Sequence, residues 1–342
     1  MSSPLRPLRN PPNPWASTDV QYLEGEAPVA ELEVYEDATR GILAHNDSPD
    51  VGFSWSVNPY RGCFHACAYC YARPGHEYLS FGAGTDFERK IVVKRRAPDL
   101  LREAFDDPQW KGELLVFSGV TDCYQPLEAS YRLTRACLEA CVEYRNPVGI
   151  ITKAPLIERD VDMLVKLARV ARVVVTVSVP FWDEAKARAI EPFVTTPVRR
   201  IRTIRRLADA GVPVGVMVGP VIPGLNDEDM GDVLRAARDA GASHASRVLL
   251  RLPGPVKEVF EGRLREALPL RADRVLRRIR ETRGGKLSDA RFGVRGRGEG
   301  PYAEAIGALF DQTAQRLGFE TRPWNDDAPT TFLRPRGQLA LL

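Results

Sequence analysis

Short apolar, β-branched runs alternate with amphipathic helical segments through the middle of this chain, and no other feature constrains its fold as strongly. The runs predict strands near 53–57, Leu114–Phe117, Val148–Thr152, Val173–Val179, Val212–Val218 and Arg247–Arg251. The segments between them predict helices near Pro98–Phe105, Leu127–Tyr144, Ile157–Ala168, Pro197–Ala210 and Asp227–Ala240. Repeated βα units favour a parallel sheet. About six such units predict an α/β fold, a partial (β/α)6 TIM-like barrel that is open compared with the eight-unit form.

The 342 residues divide into three predicted parts. Residues 1–48 are rich in proline, asparagine and acidic residues, and they predict a poorly packed, partly disordered N-terminal extension in which only Gly41–Leu43 touches the core. Residues 49–255 contain the alternating strand and helix segments and predict the partial barrel. Residues 256–342 predict an arginine-rich helical C-terminal extension that ends in a proline-rich tail.

Composition and charge exclude several other classes of protein. The net charge of +3 is too small by itself to indicate a nucleic-acid partner. The sequence has no run of about 18 apolar residues that would indicate a membrane span, and its first residues lack the apolar stretch of a signal peptide. We therefore predict a cytoplasmic protein without a membrane partner. Six cysteines in a chain of this length do not indicate a disulfide framework.

Three cysteines crowd into one short segment. Cys63, Cys67 and Cys70 have the spacing C-x3-C-x2-C, which in a reducing compartment indicates metal binding or catalysis. Thiolates are the usual ligands of iron–sulfur clusters. Three of them would bind three corners of a [4Fe–4S] cube and leave the fourth iron open to a small chelating ligand, and open positions are typical of catalytic metal sites. Gly62 permits a tight turn before the first ligand.

The residues alone leave two other interpretations of this segment open. A structural zinc site would take His65 or His76 as its fourth ligand, although His65 lies awkwardly between two of the cysteines. The three cysteines could also be buried packing residues, which the polar loop around them disfavours. The corresponding alternative function is a non-catalytic iron–sulfur or zinc protein, in which the cysteines only brace the fold or carry electrons.

The same segment resembles the radical S-adenosylmethionine (radical SAM) superfamily. That superfamily is marked by C-x3-C-x2-C with an aromatic residue before the last cysteine, a position that Tyr69 fills here. The flanking sequence is similar to a bacterial branch related to spore photoproduct lyase. The segments that carry this second resemblance are 46–50, 58–63, 70–74, 76–79, 86–88 and 297–302.

The resemblance implies a fold, two cofactors and a reaction. The fold is the partial (β/α)6 barrel, with the cysteine loop after its first strand. S-adenosylmethionine would chelate the open iron of the [4Fe–4S] cluster. Reductive cleavage would give a 5′-deoxyadenosyl radical that abstracts hydrogen from a substrate, which is chemistry supplied by the cofactors. The electron would come from a flavodoxin- or ferredoxin-like donor.

Candidate cofactor-binding residues follow from the rule that barrel enzymes place their sites at the carboxyl ends of strands. Thr121 and Asp122 offer oxygen acceptors for the methionine ammonium group, Lys153 suits the methionine carboxylate, and Ser178 is placed for the ribose. Turn, surface and core roles remain the alternatives for these residues. The other predicted members of the cofactor site are Tyr69, Tyr71, Glu191 and Arg199.

The chain departs from photoproduct lyases at Gly119, where they carry a hydrogen-donating cysteine. Cys123 and Tyr124 follow Asp122 directly, and we predict that they are the catalytic hydrogen donors in its place. A buried packing role is the alternative for Cys123. Cys137 and Cys141 are four residues apart on one predicted helix face and are predicted to pack in the core.

Two arginine-rich stretches raise the question of a nucleic-acid partner. They run from Arg199 to Arg206 and from Arg271 to Arg283, and both interleave arginines with apolar residues at helical spacing. That pattern is typical of surface helices with one apolar face. Arginine clusters also neutralise phosphates, so repair or modification of a nucleic-acid lesion, in the manner of photoproduct lyase, stays an alternative function.

Overall fold

The computed structural model describes residues 5–8, 32–320 and 329–335. Its strands are β1 (Leu5–Leu8), β2 (Glu33–Asp37), β3 (Leu43–His45), β4 (Trp55–Val57), β5 (Tyr60–Arg61), β6 (Lys90–Val93), β7 (Leu115–Phe117), β8 (Val148–Thr152), β9 (Val173–Ser178), β10 (Val214–Val221) and β11 (His244–Leu249). Its α-helices are α1 (Thr85–Arg89), α2 (Ala97–Asp106), α3 (Glu128–Tyr131), α4 (Leu133–Glu143), α5 (Val161–Val170), α6 (Glu184–Ile190), α7 (Pro197–Asp209), α8 (Met230–Asp239), α9 (Val256–Ala267), α10 (Pro269–Glu281) and α11 (Pro301–Arg316).

The main sheet has seven strands in the order β11-β10-β9-β8-β7-β4-β3. Six strands of this sheet run in parallel, namely β4, β7, β8, β9, β10 and β11, and each pairs with the next one in this series. Strand β3 pairs antiparallel with β4 at the edge of the sheet. Helices connect the successive parallel strands. This arrangement confirms the predicted α/β fold and the partial (β/α)6 barrel.

The two faces of this sheet differ in chemistry. In β9, Val173, Val175 and Val177 belong to the main apolar core, which also contains buried side chains of the surrounding helices. The intervening Thr176 and Ser178 are also buried, and their places in the alternation put them on the opposite face. Because side chains alternate between the faces of a strand, the barrel interior carries small and polar groups while the helical side is apolar.

The amino-terminal end of the barrel interior is closed by His244. Its ring nitrogen Nε2 lies 3.1 Å from the Thr176 hydroxyl, and a Cβ added at Gly215 would come within 2.2 Å of the ring. Burial lowers the pKa of His244 to about 4, so the ring is neutral at physiological pH. Open space for a ligand is therefore expected at the other end, where the strands finish.

A second, smaller sheet has the order β1-β2-β6-β5 and includes part of the predicted N-terminal extension. Within residues 32–48, β2 lies in this sheet and β3 lies in the main one. Ile42 is buried in the main core, as predicted for its segment. Apart from 5–8, the earlier residues lie outside the described part of the chain. The boundary at residue 48 stays a prediction.

The helical predictions need two corrections. The segment predicted as one helix over Leu127–Tyr144 is broken by Arg132, whose φ is +54°, into α3 and α4. The Glu128 carboxylate accepts hydrogen bonds from the backbone N–H groups of Thr134 and Arg135, so it caps the start of α4. Asn226 precedes an acidic first turn, where asparagine predicts a helix N-cap, but its side chain bonds instead to Ile222, Pro180 and Pro220.

The C-terminal segment is helical over α9, α10 and α11. Helices α9 and α10 contribute buried side chains such as Phe260 and Leu276 to an apolar cluster that also contains Cys67 and Tyr69. Helix α11 contributes Phe310 to the main core. This part of the chain therefore packs on both the barrel and the cysteine segment, and its predicted boundary at residue 255 is left as a prediction.

Candidate active site

The cysteine loop, defined here as residues 62–73, leaves β5 after Arg61 and lies at the carboxyl ends of the parallel strands. Its position there is fixed by backbone contacts: the N–H of Cys63 donates to the carbonyl of Phe87 at 2.9 Å, and the N–H of Ala68 donates to that of Ile190 at 3.0 Å. Gly62 has a φ of +75°, and a Cβ there would meet Phe87 and His76 at 2.9 Å. A larger residue would therefore displace the first cysteine.

Two residues after β7 also hold the start of this loop. The Thr121 hydroxyl and the Gln125 amide both donate to the carbonyl of Gly62, at 2.6 and 3.2 Å. The Gln125 side-chain oxygen accepts from the N–H of Phe64 at 3.2 Å. Thr121 was predicted from its place at a strand end, whereas nothing in the sequence singled out Gln125.

The three thiols of the loop lie close enough together to interact electrostatically. Burial raises the pKa of Cys63, Cys67 and Cys70, and neighbouring thiols add to the effect at Cys63 and Cys67. Backbone N–H groups of Asp122 and His65 point at the sulfur of Cys63 and partly offset its shift. Hydrogen bonds to sulfur and shielding from solvent are the features by which proteins tune iron–sulfur clusters.

Both histidines that could complete a zinc site have other partners. His65 Nδ1 lies 3.5 Å from an Asp122 carboxylate oxygen, and His76 Nε2 lies 2.9 Å from the carbonyl of Lys90. Within 5–8, 32–320 and 329–335, no three His, Cys, Asp or Glu side chains are placed to share one metal ion. An iron–sulfur cube does not require that arrangement, because each thiolate binds a different iron. The thiol-only donor set therefore fits a cluster better than a mononuclear zinc ion.

Asp122 connects the ends of β7 and β8. Its carboxylate accepts hydrogen bonds from the Thr152 hydroxyl at 2.7 Å, from the N–H of Lys153 at 2.8 Å and from the N–H of Tyr124 at 2.9 Å. A carboxylate has about four acceptor positions, so most of its capacity is already used. Its negative charge raises the pKa of Cys63, which places that charge beside the cysteine loop.

A buried charged group lies on the opposite side of the loop. Glu191 accepts a hydrogen bond from the Tyr69 hydroxyl and pairs with the Arg200 guanidinium. Arg200 also donates to the carbonyl of Ser178 at 3.1 Å, and so joins β9 to the cysteine loop. The ammonium group of Lys153 lies 5.7 Å from the Tyr69 ring centroid. Burial, followed by Glu191, raises the pKa of Tyr69.

Tyr71 spans the mouth of the barrel. Its hydroxyl donates to the carbonyl of Gly119 at 2.7 Å, and the Arg251 guanidinium lies 5.9 Å from its ring centroid. About half of the side chain is exposed. Ser178 lies deeper, where its hydroxyl donates to the carbonyl of Gly219 at 3.0 Å.

Arg199 is not brought to this site. Its guanidinium pairs with Glu158, which is itself mostly buried, and donates to the Thr203 hydroxyl of the same helix at 3.0 Å. The neighbouring Arg200 is the buried arginine of the site, and the prediction missed it. Arg200 is in helical register with the buried Ile204 and Leu207, four and seven residues later, so the sequence did carry the signal.

Cys123 and Tyr124 are also separated from the cysteine loop. Both are completely buried members of the main apolar core, on the helical side of the sheet. The carbonyl of Cys123 accepts from Thr134 in α4, and Glu128 and Asp160 are among the charges that raise the pKa of Tyr124, after burial. A hydrogen donor must reach a substrate in the barrel interior. Burial in this core is typical of packing residues, and the catalytic role of Cys123 and Tyr124 stays a prediction.

The geometry can be compared with known proteins. The chain is 37% identical over 219 residues to an uncharacterised protein of Mycobacterium tuberculosis, a match that spans 64% of each chain. It is 31% identical over 182 residues to an uncharacterised protein of Methanocaldococcus jannaschii, covering 53% of this chain and 66% of that one. A solved spore photoproduct lyase variant with bound AdoMet and dinucleoside spore photoproduct shares the fold, with a TM-score of 0.59, 14% identity, and coverage of 88% and 86%.

Two further findings bear on the class of protein. No described helix has the length and apolar character needed to cross a lipid bilayer. The family model for the radical SAM superfamily matches residues 57–237, which is more than half of the chain. The chain therefore belongs to the radical SAM superfamily.

Proposed function

We propose that this enzyme reductively cleaves S-adenosylmethionine and uses the resulting 5′-deoxyadenosyl radical to abstract hydrogen from a substrate. The observation that carries the proposal is the cysteine loop. Its three mutually interacting thiols lie on one short loop at the carboxyl ends of a parallel barrel, between the carboxylates of Asp122 and Glu191. A site of this form has thiols for three irons and charged groups beside them.

In this proposal Cys63, Cys67 and Cys70 bind a [4Fe–4S] cluster. The cluster would supply one electron and one open coordination position for the amino acid part of S-adenosylmethionine. The protein's part is to hold the thiols, exclude water and orient the bound molecule. Burial of the loop serves the second purpose, since Cys63 and Cys67 are each less than a tenth exposed.

The surrounding polar groups would orient S-adenosylmethionine. Asp122 supplies a fixed negative charge next to Cys63, and Lys153 supplies a positive one over the Tyr69 ring. Opposite charges of this kind suit an ammonium and a carboxylate group. The Thr121 hydroxyl, the buried pair of Glu191 with Arg200, and the interior hydroxyl of Ser178 complete the proposed binding site. The partner that reduces the cluster would be a flavodoxin- or ferredoxin-like protein.

A nucleic-acid lesion is a second candidate substrate. The solved lyase with the same fold holds a dinucleoside photoproduct, which supports the alternative. The presence of Gly119 where lyases carry cysteine disfavours the same repair reaction. Binding of an oligonucleotide should weaken steeply with salt if this candidate is right, because phosphate contacts release counterions. Salt-independent or undetectable binding would contradict it.

The experiment that tests the main proposal is an anaerobic cleavage assay. The protein is reconstituted with iron and sulfide, reduced with dithionite and incubated with S-adenosylmethionine, and methionine and 5′-deoxyadenosine are quantified. Both products are expected from the wild type and neither from Cys63→Ala. A wild-type protein that carries the cluster but forms no 5′-deoxyadenosine would contradict the proposal.

A further inference from the structure

Arg73 is a completely buried arginine at the end of the cysteine loop. Its guanidinium donates to the carbonyl of Cys67 at 2.9 and 3.2 Å and to the carbonyl of Ala66 at 3.2 Å. On its other side it donates to the carbonyls of Ala83 and Gly84, each at 3.0 Å. One side chain thus connects the middle of the loop to a segment that follows it.

The charge of Arg73 is paired with a carboxylate. Glu88 accepts a hydrogen bond from it at 2.6 Å, and the Phe87 ring centroid lies 5.1 Å from its guanidinium carbon. The other acceptors are neutral carbonyls. Charge-assisted hydrogen bonds of this kind are stronger than neutral ones, and a rigid planar fork is the feature that lysine cannot reproduce.

The same contacts explain an unusual loop geometry. Ala66 has a φ of +55°, which is uncommon for a residue with a side chain. Arg73 binds the carbonyl of this residue and of the next one, Cys67, which is itself one of the three thiols. The segment it connects to also receives the N–H of Cys63 at Phe87. Arg73 therefore restrains the backbone at two of the three cysteines. It binds the carbonyl of Cys67 directly, and it holds the segment whose Phe87 carbonyl accepts from the N–H of Cys63.

We propose that Arg73 is a positioning residue for the cluster, with two separable effects. Its planar hydrogen-bonding fork fixes the spacing of the cysteines before any iron is bound. Its positive charge stabilises the added negative charge of the reduced cluster, and so raises the reduction potential. This inference rests on the proposed function, because it requires a cluster at Cys63, Cys67 and Cys70.

The test compares reconstituted wild type with Arg73→Lys and Arg73→Met. The rate of iron loss to a chelator and the midpoint potential, followed by electron paramagnetic resonance, are measured anaerobically. Both variants are expected to lose iron faster, on the order of 10- to 100-fold, as is usual when a partner of a metal ligand is removed. The midpoint potential should fall in Arg73→Met and return towards the wild-type value in Arg73→Lys, which keeps the charge.

A matched control separates this role from general stability. Arg283 is also buried and also binds carbonyls, those of Leu250, Val294 and Arg295, but it is outside the cysteine loop and its contacts. Arg283→Lys should lower the unfolding temperature and leave iron retention and potential unchanged. Equal effects of the Arg283 and Arg73 variants on iron retention would overturn the inference, as would Arg73 variants that match the wild type in both measurements.

If the Arg73 variants do not fold, a more conservative substitution at its ion-pair partner tests the same proposal. Glu88→Gln leaves every contact of Arg73 with a carbonyl in place and removes the one carboxylate that compensates its charge. The midpoint potential is expected to rise, and an unchanged or lower potential would contradict the role of the charge. A wild type without a cluster would remove both proposals. A stable cluster without S-adenosylmethionine cleavage would contradict only the proposed function.

Discussion

The six cysteines form two groups that share many properties and differ in the chemistry around them. Cys63, Cys67 and Cys70 form the loop group, and Cys123, Cys137 and Cys141 form the core group. All six are free thiols, five of them are buried, and burial is the largest cause of a raised pKa in each. Burial and thiol pKa therefore do not distinguish a proposed metal ligand from a packing residue.

The difference lies in the neighbours and in the backbone. The loop group is flanked by Asp122, Glu191 and Lys153, and its backbone is held by specific hydrogen bonds. The core group belongs to the apolar core, where Cys137 and Cys141 lie on the buried face of α4. A metal site needs groups that hold ligands in fixed positions, whereas packing needs only volume.

Exchange of cysteine for alanine should separate the groups most sharply. Loss of any one loop cysteine removes a cluster ligand, so we expect iron content and 5′-deoxyadenosine formation to fall to background in Cys63→Ala, Cys67→Ala and Cys70→Ala. The matched control is Cys137→Ala, which should retain both. A loop variant with full iron content and activity would contradict the assignment of the ligands.

Asp122→Asn tests the charge beside the loop. The amide cannot accept all the hydrogen bonds that the carboxylate now accepts from Thr152, Lys153 and Tyr124, and it carries no charge. We expect S-adenosylmethionine cleavage to fall on the order of 100-fold while iron content is largely kept, which is the size typical of residues around a metal site. Thr203→Val, which removes a buried hydroxyl that binds Glu158 and Arg199, is the control and should cleave at the wild-type rate.

Cys123→Ala tests whether a core cysteine takes part in the reaction. Because Cys123 is completely buried on the helical side, we expect a loss of about 1–2 kcal/mol in the free energy of unfolding, with normal iron content and normal turnover. Denaturant unfolding and the cleavage assay measure the two quantities. Abolished turnover with an intact cluster would restore Cys123 as a hydrogen donor.

Alkylation of the cluster-free protein should show the smallest difference between the two cysteine groups. Cys70 is the one cysteine of the six that is not fully buried, and its raised pKa means that its thiolate fraction grows as the pH rises towards that value. We expect iodoacetamide to label Cys70 faster at pH 9 than at pH 7. Cys137 and Cys141 should react only on unfolding. Mass spectrometry of peptides distinguishes the sites, and simultaneous labelling of both groups would contradict the comparison.

The sequence was sufficient for the barrel and for the cysteine loop because both depend on local patterns. Strand ranges followed from apolar runs, and the ligand spacing is contiguous. It was insufficient where tertiary contacts decide. The break between α3 and α4 depends on a Glu128 carboxylate that caps the second helix, and a period of 3.6 residues cannot show that. Nearness in sequence to Asp122 suggested that Cys123 faces the site, but nearness does not determine where a side chain packs, and Cys123 is buried in the main apolar core.

The arginines illustrate the same limit. Arg199 and Arg200 are neighbours in the sequence, yet the partly exposed Arg199 pairs with Glu158 and the buried Arg200 pairs with Glu191. Helical register distinguishes them, whereas membership of a conspicuous arginine run does not. The sequence did not indicate the structural role of Arg73, because its partners include backbone carbonyls, which every residue supplies.

Electron paramagnetic resonance of the reduced, reconstituted protein tests the central claim most directly. If Cys63, Cys67 and Cys70 bind three irons of a [4Fe–4S] cluster and leave the fourth open, addition of S-adenosylmethionine should shift the g values of the reduced cluster. S-adenosylmethionine would then bind at that iron. A spectrum that is unchanged by saturating S-adenosylmethionine would mean that the cluster has no open position, and the account of this site would be wrong.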